Sequence, residues 1–207
     1  MCNSHEYATM MLEANPEAYR SIFEKSVAEF GGNMENLQFN ADTNWYDELL
    51  RTAMMTNHSL NISGGTEKAT YSAGMSYLAQ DGIMDVENYY RRLNFRAALD
   101  YEARKWLKVG FNGVFSNSQQ QLPKNAAWQQ AYNTPSIIPV YDDRRDDAVF
   151  PKKYTSPEQV GLTNNFNNPV ATANYYDNRN ETYQVLTNFY ACLLYTSPSP
   201  RDAHESR

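Results

Sequence analysis

Cysteine is scarce: Cys2 and Cys192 stand near opposite ends of 207 residues, a separation that fits neither a disulfide framework nor a metal-ligand spacing. The three histidines, His5, His58 and His204, are too scattered to pair at ligand spacing, so no metal site is expected. No G-x-S-x-G, Walker or dinucleotide fingerprint occurs. Catalytic residues, cofactor-binding residues and a cofactor are therefore all expected to be absent. Positive charge is in deficit, with 18 Lys and Arg against 24 Asp and Glu and a net charge of -6 at pH 7. That leaves no basic stripe for a phosphate backbone, and nucleic acid is excluded as the expected partner. No run of about 18 apolar residues is present, which excludes a transmembrane helix. The first 20 residues lack the basic start and apolar core of a secretory signal. A β-barrel is the membrane option that survives, because its signal per segment is weaker.

What the chain does have is tyrosine, 16 in all, together with abundant Asn, Gln, Ser and Thr. Mean hydropathy is -0.70, low for a compact soluble enzyme. Residues 1–55 space their apolar side chains as helices do. Ser4 is a candidate N-cap, Pro16 opens a second helix in its first turn, and Gly31 and Gly32 end it. A short helix is expected over "NWYDELLRTAMM", residues 44–55.

From residue 56 the period changes to two. Leu60 and Ile62 share a face, and "GGTEK" then turns the chain. Ala69, Tyr71, Ala73, Met75, Tyr77 and Ala79 alternate with Thr70, Ser72, Gly74, Ser76 and Gln80. A third segment sets Leu93, Phe95, Ala97, Leu99 and Tyr101 against Arg92, Asn94, Arg96, Asp100 and Glu102. After a turn at "EARK", Leu107, Val109, Phe111, Gly113 and Phe115 alternate with Lys108, Gly110, Asn112 and Ser116. A fifth segment follows a long insertion, with Tyr183, Val185, Phe189 and Ala191 against Gln184, Asn188 and Tyr190. Such strands of about 10 residues can cross a bilayer when tilted.

The connections alternate short and long, as in an outer-membrane barrel with tight periplasmic turns and extended outer loops. Aromatics gather at the strand ends. Tyr71, Tyr101 and Trp106 lie near the short turns and Tyr77 near a long loop, which makes them candidates for the interface girdles. Arg92, Asn94, Arg96 and Asp100 are the lumen-facing candidates, because a charge on the lipid face near the midplane costs about 2 to 4 kcal/mol. The fold class expected is an all-β transmembrane barrel fragment, antiparallel with about five strands, carrying helical extracellular loops. The same alternation also suits a secreted soluble β-sandwich that binds carbohydrate, with the apolar face against a second sheet.

Four stretches in order resemble the SusC/RagA family of TonB-dependent outer-membrane transporters. They are "NSHEYATMMLEA", "TNWYDELLRTAMMTNHSLNISGGTEKATYSAGMSYLAQDGI", "YRRLNFRAALDYEARKWLKVGFNGVFS" and "NNPVATANYYDNR". The most specific is the second, where a W-x-D-E helix leads into N-H-x-L-x-I-S-G-G-x-E-K. The resemblance implies an extracellular helical loop over residues 1–55, barrel strands with periplasmic turns over 56–118, a long extracellular loop over 119–180 and a further strand over 181–191. It implies a barrel of about 22 strands, of which these would be strands two to six. It further implies a multi-pass location in the outer membrane among its lipids and uptake of oligosaccharides or peptides. Its partners would be a SusD-like surface lipoprotein as lid and TonB, contacted through a plug and N-terminal region outside this chain. An enzyme is not implied.

Residues 192–207 do not continue the pattern. "CLLYTSPSPRD" resembles a translated sequencing adapter, and residues 192–207 are read as foreign to the fold. "YDDRRDDAVF", residues 141–150, clusters four carboxylates around two arginines. A calcium site or a glycosidase pair would need convergent carboxylates, whereas adjacent Asp residues in a loop form a solvated, mutually neutralised turn.

Overall fold

A computed structural model of the chain describes residues 1–144, 153–163 and 167–194. The chain forms two compact units, each assembled from separated stretches. The first comprises Met1–Ala53, Gly82–Asn88 and Gln121–Arg179; the second comprises Met54–Asp81, Tyr89–Gln120 and the residues from Asn180 onward.

The first unit is mostly helical. α1 (Ser4–Ala14) is capped by Asn3, whose side chain accepts from the Glu6 N–H while Glu6 returns to the Asn3 N–H. Ser4 is therefore the first helical residue and not the cap. Its N–H is free to donate to Asp42 Oδ1 at 2.7 Å. α2 (Pro16–Phe30) has Pro16 at its first turn and stops at Gly31, as the sequence predicts. Two short strands follow, β1 (Gly32–Asn33) and β2 (Gln38–Phe39), and pair antiparallel.

α3 (Trp45–Leu49) is far shorter than the helix expected over residues 44–55. The competing force is strand pairing. Leu50 is extended and bridges to Met84, Arg51 donates its N–H to Ile83 O, and Met55 already pairs with Gln80 in the sheet. α4 (Asn125–Asn133) and α5 (Pro169–Asn174) complete the helices, with a 3-10 turn at Pro157–Val160.

These elements close a core around Phe23, Trp45, Leu49, Ile137, Ile138 and Val160, all essentially inaccessible to solvent. The segment Pro135 to Ile138 is stitched into it by hydrogen bonds. Trp45 Nε1 donates to Pro135 O at 3.0 Å, Ser26 Oγ to Ile137 O at 3.0 Å and Thr43 Oγ1 to Ile138 O at 2.7 Å. Asn168 is a second hub. It caps α5 and donates to Val140 O at 2.8 Å and Thr155 O at 3.2 Å. Such pairing satisfies the buried carbonyls of irregular backbone at Pro135, Ile137, Ile138, Val140 and Thr155.

The second unit is one antiparallel meander, in the order β3 (Met55–Gly65), β4 (Ala69–Asp81), β5 (Tyr89–Arg104), β6 (Leu107–Gln121) and β7 (Arg179–Leu193). The turn between β5 and β6 is only Lys105–Trp106, because β5 continues through the "EAR" that the sequence reading gave to the turn. β7 likewise runs two residues past the expected bound, through Cys192 and Leu193. Residues 195–207 lie outside those described, as do Arg145 to Phe150 and His204.

Candidate functional site

Register decides which side chains share a face. β3 and β4 align Leu60 with Met75 and Ile62 with Ala73. β4 and β5 align Ala69 with Tyr101, Tyr71 with Leu99, Ala73 with Ala97, Met75 with Phe95 and Tyr77 with Leu93. Every one of these partners is apolar or aromatic, so the alternation in three separate segments adds up to one continuous apolar face. On β6 and β7 the same face carries Phe111 against Phe189, with ring centroids 4.8 Å apart. Among the described residues nothing covers this face: Ile62, Phe95 and Phe189 expose 59%, 48% and 74% of their surface. A contiguous exposed apolar patch of this kind marks a membrane or partner surface.

The face has limits along the strands. From Leu93 to Tyr101 the rise is about 26 Å at about 3.3 Å per residue. Beyond Leu93 comes Arg91, whose guanidinium lies 4.7 Å from the Tyr89 ring centroid. Beyond Phe115 come Asn117 and Gln119, which donate at 3.1 and 2.8 Å to the same Glu181 carboxylate oxygen that Tyr183 OH also reaches. Of the girdle candidates, Tyr71 and Tyr101 fall at one end of this apolar stretch and Tyr77 towards the other. Trp106 lies in the β5–β6 turn with 53% of its surface exposed.

The opposite face is lined with hydrogen-bonding groups. Register places Thr70 beside Asp100, Gly74 beside Arg96, Ser76 beside Asn94 and Leu78 beside Arg92. The four lumen-facing candidates thus share one strand face. Arg92 Nε donates to Asn94 Oδ1 at 2.8 Å, and Asn94 Nδ2 donates to Ser76 Oγ at 3.1 Å. Asp100 accepts from Tyr190 OH, which reaches it from β7 across β6. That reach requires Gly110, since a Cβ there would collide with the Tyr190 ring. Gly110→Val is accordingly expected to lift Tyr190 off the sheet and destabilise it by about 1 to 3 kcal/mol. A drop in the thermal unfolding midpoint larger than that of Tyr190→Phe is the check.

In the first unit, a cleft of about 800 Å³ is walled by Tyr7, Met10, Met11, Tyr19, Tyr46 and Tyr132. Burial, and then the neighbouring Tyr19, pushes the Tyr7 hydroxyl up to about 12, so it stays a neutral donor. Of the acidic stretch, the described residues are Tyr141 to Arg144, and among them Asp142 is buried rather than solvated. Asp142 is buried and accepts from Arg144 Nε at 2.9 Å and from Gln159 Nε2 at 3.1 Å, while Arg144 also reaches Glu29 at 3.3 Å. Among the described residues no cluster of three or more metal-binding side chains is present, and no helix is long and apolar enough to cross a membrane.

The Arg144 hydrogen bond holds the Asp142 carboxyl below the usual carboxylate range, against a burial penalty that acts the other way. Its folded pKa lies below the unfolded one. The stabilisation is therefore complete above about pH 4, the ordinary carboxylate value, and is lost as pH falls through the folded value. Melts stepped from pH 7 to pH 3 are expected to be flat, as far as this group is concerned, and then to fall. Asp142→Asn removes that part of the acid slope.

No family model matches the chain. It is 28% identical over 151 residues to TonB-dependent receptor P26 of Formosa agariphila, a match covering 72% of this chain and 14% of that protein. It is 29% identical over 133 residues to TonB-dependent receptor SusC of Bacteroides thetaiotaomicron, covering 62% of this chain and 13% of SusC. A solved structure described as "Structure of the RagAB peptide transporter" superposes on 58% of this chain and 15% of that one, with a TM-score of 0.45 and 20% identity. The chain spans about a seventh of the length of the curated relatives it matches. Both of these curated relatives are named as TonB-dependent receptors. Within that class, the resemblance to the SusC/RagA family read from the four quoted stretches is borne out by the match to SusC itself.

Proposed function

We propose that the second unit is a stretch of barrel wall in an outer-membrane TonB-dependent transporter. The observation that carries this reading is the unbroken apolar face of β3 to β7, which needs a nonpolar neighbour. If the strands tilt by about 40°, the apolar stretch of β5 becomes a band about 20 Å high, close to the lipid-facing band of such barrels. On this reading Tyr71, Tyr77, Tyr101 and Trp106 belong to the interface girdles, and Arg92, Asn94, Arg96 and Asp100 face the lumen. The two outer strands of the sheet, β3 and β7, pair with further strands of a longer protein, which removes the hazard of an exposed edge.

The transporter takes up oligosaccharides or peptides without catalysing a reaction on them. TonB drives it, and a SusD-like lipoprotein covers its outer mouth. The methionine- and tyrosine-walled cleft suits contact with such a lid, because these side chains adapt to a partner surface and supply much of the area at protein interfaces. The test is fractionation of the full-length protein from its own cells. Outer-membrane recovery with a heat-modifiable band is expected; recovery in the soluble fraction would overturn the reading in favour of a secreted carbohydrate-binding module.

A further inference from the structure

We infer that the short-turn end of the sheet is a docking rim for anionic phospholipid headgroups, with Arg104, Lys105, Lys108 and Lys68 meeting the lipid phosphates around Trp106. The inference rests on the reading of the apolar face as a lipid-facing wall, and adds the class of lipid and the residues that select it. The sequence "RKWLK", residues 104–108, puts three cations around one indole. No other five consecutive residues of the chain hold three Lys or Arg. Arg104 ends β5, Lys105 and Trp106 are the whole turn, and Lys108 is the second residue of β6; all four are exposed.

The neighbouring turn brings a fourth cation to the same end. Glu102 donates its N–H to Lys68 O at 2.7 Å and Ala69 pairs with Tyr101, so the β3–β4 turn lies beside the last residues of β5. That turn is fixed from within. Thr66 N–H donates to Ala69 O at 2.7 Å, and Thr66 Oγ1 accepts from the Ala69 N–H at 3.2 Å. The acids at this end are Glu67 and the half-buried Glu102, so four cations stand against two carboxylates. An anionic surface complements that balance, and each Lys or Arg held near it adds to the attraction.

The apolar face sets the depth. It ends at Tyr71 and Tyr101, 52% and 46% exposed, and Tyr and Trp suit the boundary between hydrocarbon and headgroups. Arg104 lies three residues past Tyr101, about 10 Å along the strand and less along the normal of a bilayer that the strand crosses at a tilt. With Tyr101 at the edge of the hydrocarbon, that is the headgroup layer. Arg104 and Lys108 alternate in step with the polar face, whereas Lys105 and Trp106 sit in the turn, where the sheet ends and no strand separates the two faces. Long stems let the charged ends reach phosphate from there, and the Arg104 guanidinium can meet it bidentately.

The experiment uses the full-length protein in phosphatidylcholine vesicles with a minor fraction of brominated lipid, either phosphatidylglycerol or phosphatidylcholine at the same fraction. Bromine quenches tryptophan at contact, and the difference between each protein and its Trp106→Phe counterpart isolates Trp106. Quenching of that component is expected to be about threefold stronger with the brominated phosphatidylglycerol, and the preference to shrink as salt rises. Arg104→Gln/Lys105→Gln/Lys108→Gln brings the two lipids level. Lys105→Arg/Lys108→Arg keeps the preference, and Arg91→Gln at the other end of β5 leaves it unchanged.

Equal quenching by the two lipids, no quenching of Trp106 by either, or a preference that survives the triple variant overturns the inference. So does a preference that Arg91→Gln abolishes as fully. Loss of the preference on adding inorganic phosphate at constant ionic strength would mark a free-phosphate site and overturn it as well. If the triple variant does not insert, a wild-type preference untouched by salt overturns it. Heat-modifiability of the same preparations is read in parallel. A protein that is inserted and heat-modifiable yet shows no lipid preference at Trp106 sinks this inference and leaves the transporter reading intact, whereas a soluble protein sinks both.

Discussion

Phe95→Lys in the full-length protein is expected, on the proposed barrel reading, to cost about 2 to 4 kcal/mol of stability in a bilayer, and Asn94→Lys, one residue away, about 1 kcal/mol or less through its lost hydrogen bonds. Phe95 lies near the middle of the apolar stretch of β5, paired with Met75 and flanked by Leu93 and Ala97. If this face meets lipid, as proposed, a lysine there has no water within reach and must distort the bilayer or extend towards the interface. Asn94 points to the other face, where Ser76 and Arg92 already form a hydrogen-bonded polar surface. Unfolding by guanidinium in vesicles reads both numbers. Equal costs at the two positions would show that the apolar face does not meet lipid.

Trp45→Ala is expected to have an effect of similar size for a different reason, about 3 to 5 kcal/mol lost from the first unit. Trp45 is fully buried at the start of α3, so truncation leaves a cavity that the surrounding backbone cannot close. It also orphans the Pro135 carbonyl, which Trp45 Nε1 meets at 3.0 Å. The segment Pro135 to Ile138 keeps its hydrogen bonds to Ser26 and Thr43 and the core packing of Ile137 and Ile138. Faster amide exchange in residues 134–140, with the strands of the sheet unchanged, is the predicted signature. Trp45→Phe should recover the packing and not the hydrogen bond, and fall between the two.

The sheet was the most legible part of the chain, because a period of two survives without knowledge of what each strand pairs with. Tyr71, Met75 and Tyr77 could be assigned to one face from β4 alone, and pairing with Leu99, Phe95 and Leu93 preserved that assignment. Strand ends were less legible. Lys105 and Trp106 form the whole turn, although Glu102 and Arg104 carry charges that suit a loop equally well. Nor did helical spacing over residues 44–55 reveal where α3 gives way, since its end is set by the bridge from Leu50 to Met84, 34 positions away.

The loop unit shows the opposite balance. In sequence, residues 119–180 read as one long insertion rich in Asn, Gln and Tyr. The apolar run "SIIPV" was a signal that a core lay within it, and Ile137 and Ile138 are indeed inaccessible. Asp142 could not have been placed from its sequence. Its neighbours spell a solvated turn, and only the arrival of Arg144 and Gln159 makes its burial tolerable.

By itself, then, the sequence determined that five segments alternate, that charges are absent from the apolar face between Leu93 and Tyr101, and that no helix could span a membrane. Those properties are local, written in the order of side chains along a strand. The tertiary structure alone decided that Asn94 accepts from Arg92, that Tyr190 reaches Asp100, and that Gly110 makes room for the Tyr190 ring. Each depends on which residue stands across the sheet, two or more strands away in the case of Tyr190. Register is fixed by backbone pairing over the whole meander, and no single strand contains it.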